Sequence, residues 1–218
     1  MSTERHDQLK IFEIFHSLQG ESTYSGLPTV FVRLTGCPLR CTWCDTEYAF
    51  HGGQWMHFDA IEAEIAQHGT PYVCITGGEP LSQKRVFALM DRLVAAGYHL
   101  SLETSGAITI ENVNSEVIKV VDMKAPGSGE EKRNDYSNFQ WLNPQDQVKF
   151  VIQDRQDYDW SKTLIEEHQL QDKAQLLFSP VADVMPAKQL ADWILADQLP
   201  VRFQIQLHKQ LWGNTPGT

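Results

Sequence analysis

Apolar positions along the chain gather in short β-rich runs, with helical spacing between several of them. Seven runs read as strands: Thr29 to Cys37, Tyr72 to Gly78, His99 to Gly106, Val117 to Lys124, Gln147 to Gln153, Gln175 to Val181 and Arg202 to Lys209. Several are nearly continuous in apolar residues, as in YVCITGG, which is how a parallel strand covered on both faces reads. Phe58, Ile61 and Ile65 stand at helical spacing with Asp59 as N-cap, and Val86, Leu89, Met90 and Leu93 mark a helix that stops at Gly97. Tyr158 to Gln169 and Ala187 to Asp197 predict two more helices, the last entered through Pro186. The polar segment Gly127 to Asn143 shows no period and reads as a loop or short lid.

Strand and helix alternating in this way predict a parallel sheet with helices outside it. A complete eightfold barrel takes about 250 residues. This chain has 218, and IFEIFHSLQG near the N-terminus and the segment around the cysteines consume part of them. The expected fold is therefore α/β, an incomplete (open) parallel (β/α) barrel, with residues 1–218 as one domain. Reactive groups in such folds collect at the carboxyl ends of strands. Cys37, Gly77 to Pro80, Glu103 to Gly106, Lys124, Ser179 and His208 all fall there.

Cys37, Cys41 and Cys44 form a C-x3-C-x2-C triad, and Cys74 stands apart in an apolar strand, where a free cysteine behaves as a small hydrophobe. Three thiolates on one short loop can hold three irons of a 4Fe-4S cube and leave the fourth open. Gly36 allows close backbone approach and Pro38 turns the chain out of its strand. A structural zinc site is the alternative on spacing alone, although zinc is commonly held by two separated pairs and no second pair is present. Gly77, Gly78, Glu79 and Pro80 leave a strand as GGEP, where a carboxylate can accept from an ammonium group.

The triad at the end of one strand and GGEP at the end of another resemble the radical S-adenosylmethionine (SAM) superfamily. That resemblance implies a 4Fe-4S cluster on the three cysteines and SAM as cofactor, with Trp43 near the adenine and Glu79 on the methionine amine. LQGES (Leu18 to Ser22), FVRLTGCPLRCTWCDT (Phe31 to Thr46), ITGGEP (Ile75 to Pro80), ETSG (Glu103 to Gly106), DMK (Asp122 to Lys124) and QLHK (Gln206 to Lys209) together resemble the 7-carboxy-7-deazaguanine synthase family. This family contracts 6-carboxy-5,6,7,8-tetrahydropterin to a deazapurine with loss of ammonia. The match runs from about Phe15 to Lys209.

Carried over, the resemblance places Leu18, Gln19, Gly20 and Thr76 against the substrate, with Arg33 on its carboxylate. A guanidinium meets a carboxylate bidentately, which suits Arg33 to that part. Positions around SAM are Trp43, Cys44, Asp45, Gly78, Glu79, Ser105, Asp122, Met123, Lys124, Phe178, Ser179, Pro180 and Val181. Thr46 is implied as a Mg2+ ligand, His208 as a possible substrate contact, and a flavodoxin-like protein and a homodimer as partners. Glu21 reads as a solvated residue. The tail LWGNTPGT departs from relatives that end soon after the last strand.

Charge and composition narrow the remaining classes. Eighteen Lys and Arg against 28 Asp and Glu give a formal charge of −10, so a broad basic surface for direct nucleic-acid binding is not expected. No run reaches the roughly 18 apolar residues of a membrane span, and the start MSTERHDQLK lacks a secretory pattern, so a cytoplasmic protein is expected. A radical SAM activating enzyme with a protein substrate and a non-catalytic zinc-binding module are the competing readings.

Overall fold

The computed structural model describes residues 7–213 and 215–217. Nine strands form one sheet: β1 (Gln8–Leu18), β2 (Pro28–Leu34), β3 (Gln54–His57), β4 (Tyr72–Gly77), β5 (His99–Thr104), β6 (Ile118–Met123), β7 (Gln147–Ile152), β8 (Gln175–Pro180) and β9 (Arg202–Phe203). Their order is β3-β1-β2-β4-β5-β6-β7-β8-β9. β1 runs antiparallel to β2 and β3, and every pair from β2–β4 onward is parallel. The sheet is open, because β3 and β9 are its two edges.

Helices α1 (Phe58–Ala66), α2 (Val86–Ala95), α3 (Arg155–His168) and α4 (Ala187–Ala196) connect strands, and α5 (Leu207–Trp212) follows β9. The apolar faces of α1 to α4 and the outward strand positions share a single hydrophobic cluster. Inside it, Lys119 and Asp146 pair at 2.9 Å with side chains only 2% and 0% exposed. Asp146 Oδ1 also accepts from the Lys119 N–H, so the charge is hydrogen-bonded on both sides.

Two expectations need correction, on QLHK and on Asp59, and two segments gain definition. IFEIFHSLQG lies mostly in the long strand β1, whose alternation is blurred by a register shift between Ile11 and Glu13. QLHK does not end the last strand: β9 pairs only at Arg202 and Phe203, and Gln206 to Lys209 enter α5. The Leu207 N–H instead donates to the Gly20 carbonyl at 2.9 Å, which draws the chain off the sheet edge. Asp59 is not the cap of α1; His57 holds that position, and Asp59 pairs with Arg92 at 2.6 Å. The segment Gly127 to Asn143 is irregular, as a loop reading expects, and it is packed: three short 3-10 turns carry it and buried Asn138 bonds Ile110 N–H and the Gly106 and Ile108 carbonyls.

Candidate active site

Parallel register lines up the inward positions of neighbouring strands. Arg33 pairs across to Thr76, and Asp122 to Lys149. With Glu103 between them, these five side chains form a polar belt on β2, β4, β5, β6 and β7 around a cavity of about 710 Å³. That volume suits small organic ligands. Leu18, Gln19, Gly20, Cys37, Cys41, Trp43, Cys44, Asp45, Thr46, Gly78, Ser105, Lys124, Val181 and His208 line the same cavity.

The cysteine loop is built against the carboxyl ends of β2 and β4. Gly36 N–H donates to the Ala49 carbonyl at 2.9 Å, and Glu79 N–H donates to the Gly36 carbonyl at 2.8 Å. A Cβ at Gly78 would lie 2.3 Å from the Gly36 oxygen and 2.7 Å from the Cys37 Cβ, so only glycine lets the two loops meet. Cys37, Cys41 and Cys44 are half-buried. Burial pushes the Cys41 thiol up to about 11, while the nearby Lys124 charge pulls the other way.

Arg33 donates from Nε to Glu13 Oε1 at 2.7 Å, and its guanidinium lies over the Phe15 and Tyr48 rings at 5.4 and 5.7 Å. Glu103 accepts from Gln19 Nε2 at 3.3 Å and from the Thr76 hydroxyl at 3.0 Å. Burial, and then the charge of Glu21, push its carboxyl upward. The Thr46 hydroxyl donates to Asp45 Oδ1 at 2.8 Å, which leaves the threonine oxygen free to accept or to ligate. Asp45 Oδ2 accepts from Gln206 Nε2 at 3.1 Å and faces Lys209 at 3.4 Å, joining the cysteine loop to α5. His208 sits on Gly20, where a Cβ would come within 2.0 Å of its Nδ1.

Some expected residues lie behind the wall. Glu79 is fully buried, and its carboxylate accepts from Leu81 N–H, the Thr104 hydroxyl and both Ser105 donors. It therefore ties the β4 turn to the end of β5. Met123, Phe178, Ser179 and Pro180 are buried and do not line the cavity. Cys74 is fully buried on β4, with its thiol pushed well up by burial. The terminal Thr218 and Asn214 lie outside the described residues.

Glu21 is 8% exposed, not solvated, and meets Lys149 at 2.6 Å. Lys149 belongs to no sequence motif, and Glu103 stands in ETSG at a strand end with no role implied for it. Their signal is a charge at an inward position of an otherwise apolar strand, QVKFVI and HLSLET.

Residues 31–119 match the family model of the radical SAM superfamily. Parallel strands, the three-cysteine loop and this match define the class: a radical SAM enzyme, which works with a 4Fe-4S cluster and SAM. Over 225 residues the chain is 44% identical to 7-carboxy-7-deazaguanine synthase of Koribacter versatilis, covering 96% of this chain and 99% of that one. It is 41% identical to the synthase of Chlorobaculum tepidum over 216 residues, 98% and 97% of the two chains. The chain belongs to the 7-carboxy-7-deazaguanine synthase family. The crystal structure of QueE from Escherichia coli shares the fold, with a TM-score of 0.77 at 23% identity over 95% of this chain and 100% of that one.

The cysteines fit the cluster. Among the described residues no group of three His, Cys, Asp or Glu converges on a single metal ion. A cube asks for something else, three soft sulfurs spread over three irons beside one cavity. The close approach of Gly78 to Cys37 gives that loop a rigid floor.

Proposed function

We infer that this chain converts 6-carboxy-5,6,7,8-tetrahydropterin to 7-carboxy-7-deazaguanine with loss of ammonia. The observation that carries this reading is one cavity that joins the three-cysteine loop to Arg33 and to the Gln19–Glu103–Thr76 group. Cys37, Cys41 and Cys44 would hold the cluster, which when bound would supply the one-electron reduction of SAM that opens radical chemistry.

The chain's own residues bind and orient. The Arg33 guanidinium, flanked by Phe15 and Tyr48, receives the pterin carboxylate, and Glu103 accepts from ring N–H groups. Thr76 and Gln19 hold the Glu103 carboxylate in place, each donating to one of its two oxygens. Leu18 and Gly20 form the floor under α5, with His208 over the turn. Cys37, Cys41 and Cys44 hold the cluster, and Trp43, Asp45, Gly78, Ser105, Asp122, Lys124 and Val181 bound the space for SAM. Glu79, held by Leu81, Thr104 and Ser105, fixes the β4 turn behind the SAM side, and Met123 and Phe178 to Pro180 back that wall. The Thr46 oxygen, whose hydroxyl donates to Asp45, would supply one protein ligand to Mg2+, an ion that tolerates few protein ligands.

The family resemblance supports a flavodoxin-like electron donor, a homodimer and a cytoplasmic location. Among the described residues no helix is long and apolar enough to cross a membrane. Anaerobic incubation of reconstituted protein with SAM, dithionite and the pterin should release carboxydeazaguanine, detected by mass. Its absence from protein with a full cluster would sink the assignment.

A further inference from the structure

Two side chains on one face of β7, Gln147 and Lys149, reach across the barrel to the turn that follows β1. Gln147 Oε1 accepts from the Thr23 N–H at 3.0 Å, and its Nε2 donates to Thr23 Oγ1 at 2.8 Å. Lys149 Nζ donates to Glu21 Oε2 at 2.6 Å. In the sheet, β2, β4, β5 and β6 lie between β1 and β7, so no backbone ladder fixes this turn against β7. These side chains do so. The turn is the segment that carries Leu18, Gln19 and Gly20.

The Lys149 ammonium also faces Asp122 Oδ2 at 3.5 Å, an oxygen that Lys124 meets at 3.2 Å. Both the Lys149 and Glu21 side chains are nearly buried, 12% and 11% exposed. Glu103 adds a third carboxylate near the same cation, with Arg33 beyond it and Asp45 toward the rim. Burial works against the charge of Lys149, but Glu21, Asp122 and Glu103 outweigh it and hold the ammonium protonated. One cation is thus shared between the turn on the pterin side and the β6 end on the SAM side.

We propose that Lys149 is a positioning residue that couples the two ligand sites, holding Glu21 and Asp122 to one ammonium so that each ligand's binding favours the other's. This rests on the functional reading given above. A ligand that orders Asp122 also orders Lys149, and through it the turn that the second ligand needs. The coupling is reciprocal by thermodynamic necessity.

The test uses anaerobically reconstituted holoenzyme without reductant, so that SAM and the pterin bind without turnover. Dissociation constants for each ligand, alone and with the other saturating, are compared for wild type, Lys149→Met, Lys149→Arg and Lys149→Met with Glu21→Gln. The double variant removes the unpaired buried carboxylate and so guards against a single variant that fails to fold. Wild type should show mutual tightening of about fivefold or more. The double variant should lose that tightening and bind each ligand about tenfold more weakly, and Lys149→Arg should recover part of both. A folded double variant with wild-type coupling overturns the proposal, as does one that loses affinity while keeping the coupling. Wild type that binds SAM but not the pterin contradicts the functional reading instead; the role of Lys149 then rests on SAM affinity, and an unchanged value in the variants overturns it.

Discussion

Replacing Gly78 by Ala should separate the cysteine loop from the GGEP turn. The added methyl would stand 2.3 Å from the Gly36 carbonyl oxygen and 2.7 Å from the Cys37 Cβ, so the two backbones must part by about an ångström. Gly78 is not in the left-handed region, and the cost is therefore steric. Two hydrogen bonds stand to be stretched, Gly78 N–H to Leu34 O at 3.3 Å and Glu79 N–H to Gly36 O at 2.8 Å. Overpacking of this kind with loss of buried hydrogen bonds costs about 3 kcal/mol. In a chain of 218 residues that lowers the unfolding temperature by about 6–12 °C. Gly36→Ala is the contrast: its Cβ meets nothing within 4 Å, so only its φ of +98° is penalised, about 1–2 kcal/mol. Thermal unfolding of the apoprotein and iron per chain after reconstitution read both effects. A Gly78→Ala protein with wild-type unfolding temperature and full iron content would refute the packing argument.

Glu103→Gln should raise the pterin KM about 10- to 100-fold, the worth of hydrogen bonds to a charged acceptor. Because burial holds the Glu103 carboxyl above its ordinary value, its stabilising contribution is present at acid pH and lost as pH rises through the folded value. The variant apoprotein should therefore melt above wild type at neutral pH, with the gap closing toward about pH 4; a constant gap would contradict this. Arg33→Lys keeps the charge but loses the planar fork, and the pterin KM should rise about tenfold while SAM affinity is unchanged; an equal loss for SAM would remove Arg33 from the pterin side. Lys119→Met leaves Asp146 buried and unpaired at 0% exposure and should cost about 3–5 kcal/mol by denaturant unfolding, with normal kinetics in whatever folds.

The parallel strands from β2 to β8 were legible because each is a short apolar run ending in turn residues, and periodicity over such runs is local information. β1 was not, since the register shift between Ile11 and Glu13 puts half-buried residues on both faces. QLHK reads as strand by composition, yet the Leu207 bond to Gly20 takes the chain into a helix, a contact across most of the sequence. The same limit explains the site. Three cysteines in eight residues announce themselves, and so does GGEP. Glu21 looks solvated because its partner Lys149 is 128 positions away. Glu79, expected on SAM, is turned toward Thr104 and Ser105, whose hydroxyls no sequence pattern assigns to it.

The most direct measurement is the balance of products in an anaerobic incubation of the reconstituted protein with dithionite, the pterin and SAM, with no protein partner added. The account predicts carboxydeazaguanine and ammonia in equal amounts. SAM cleaved to 5′-deoxyadenosine by protein with an intact cluster while the pterin is left unchanged would contradict it.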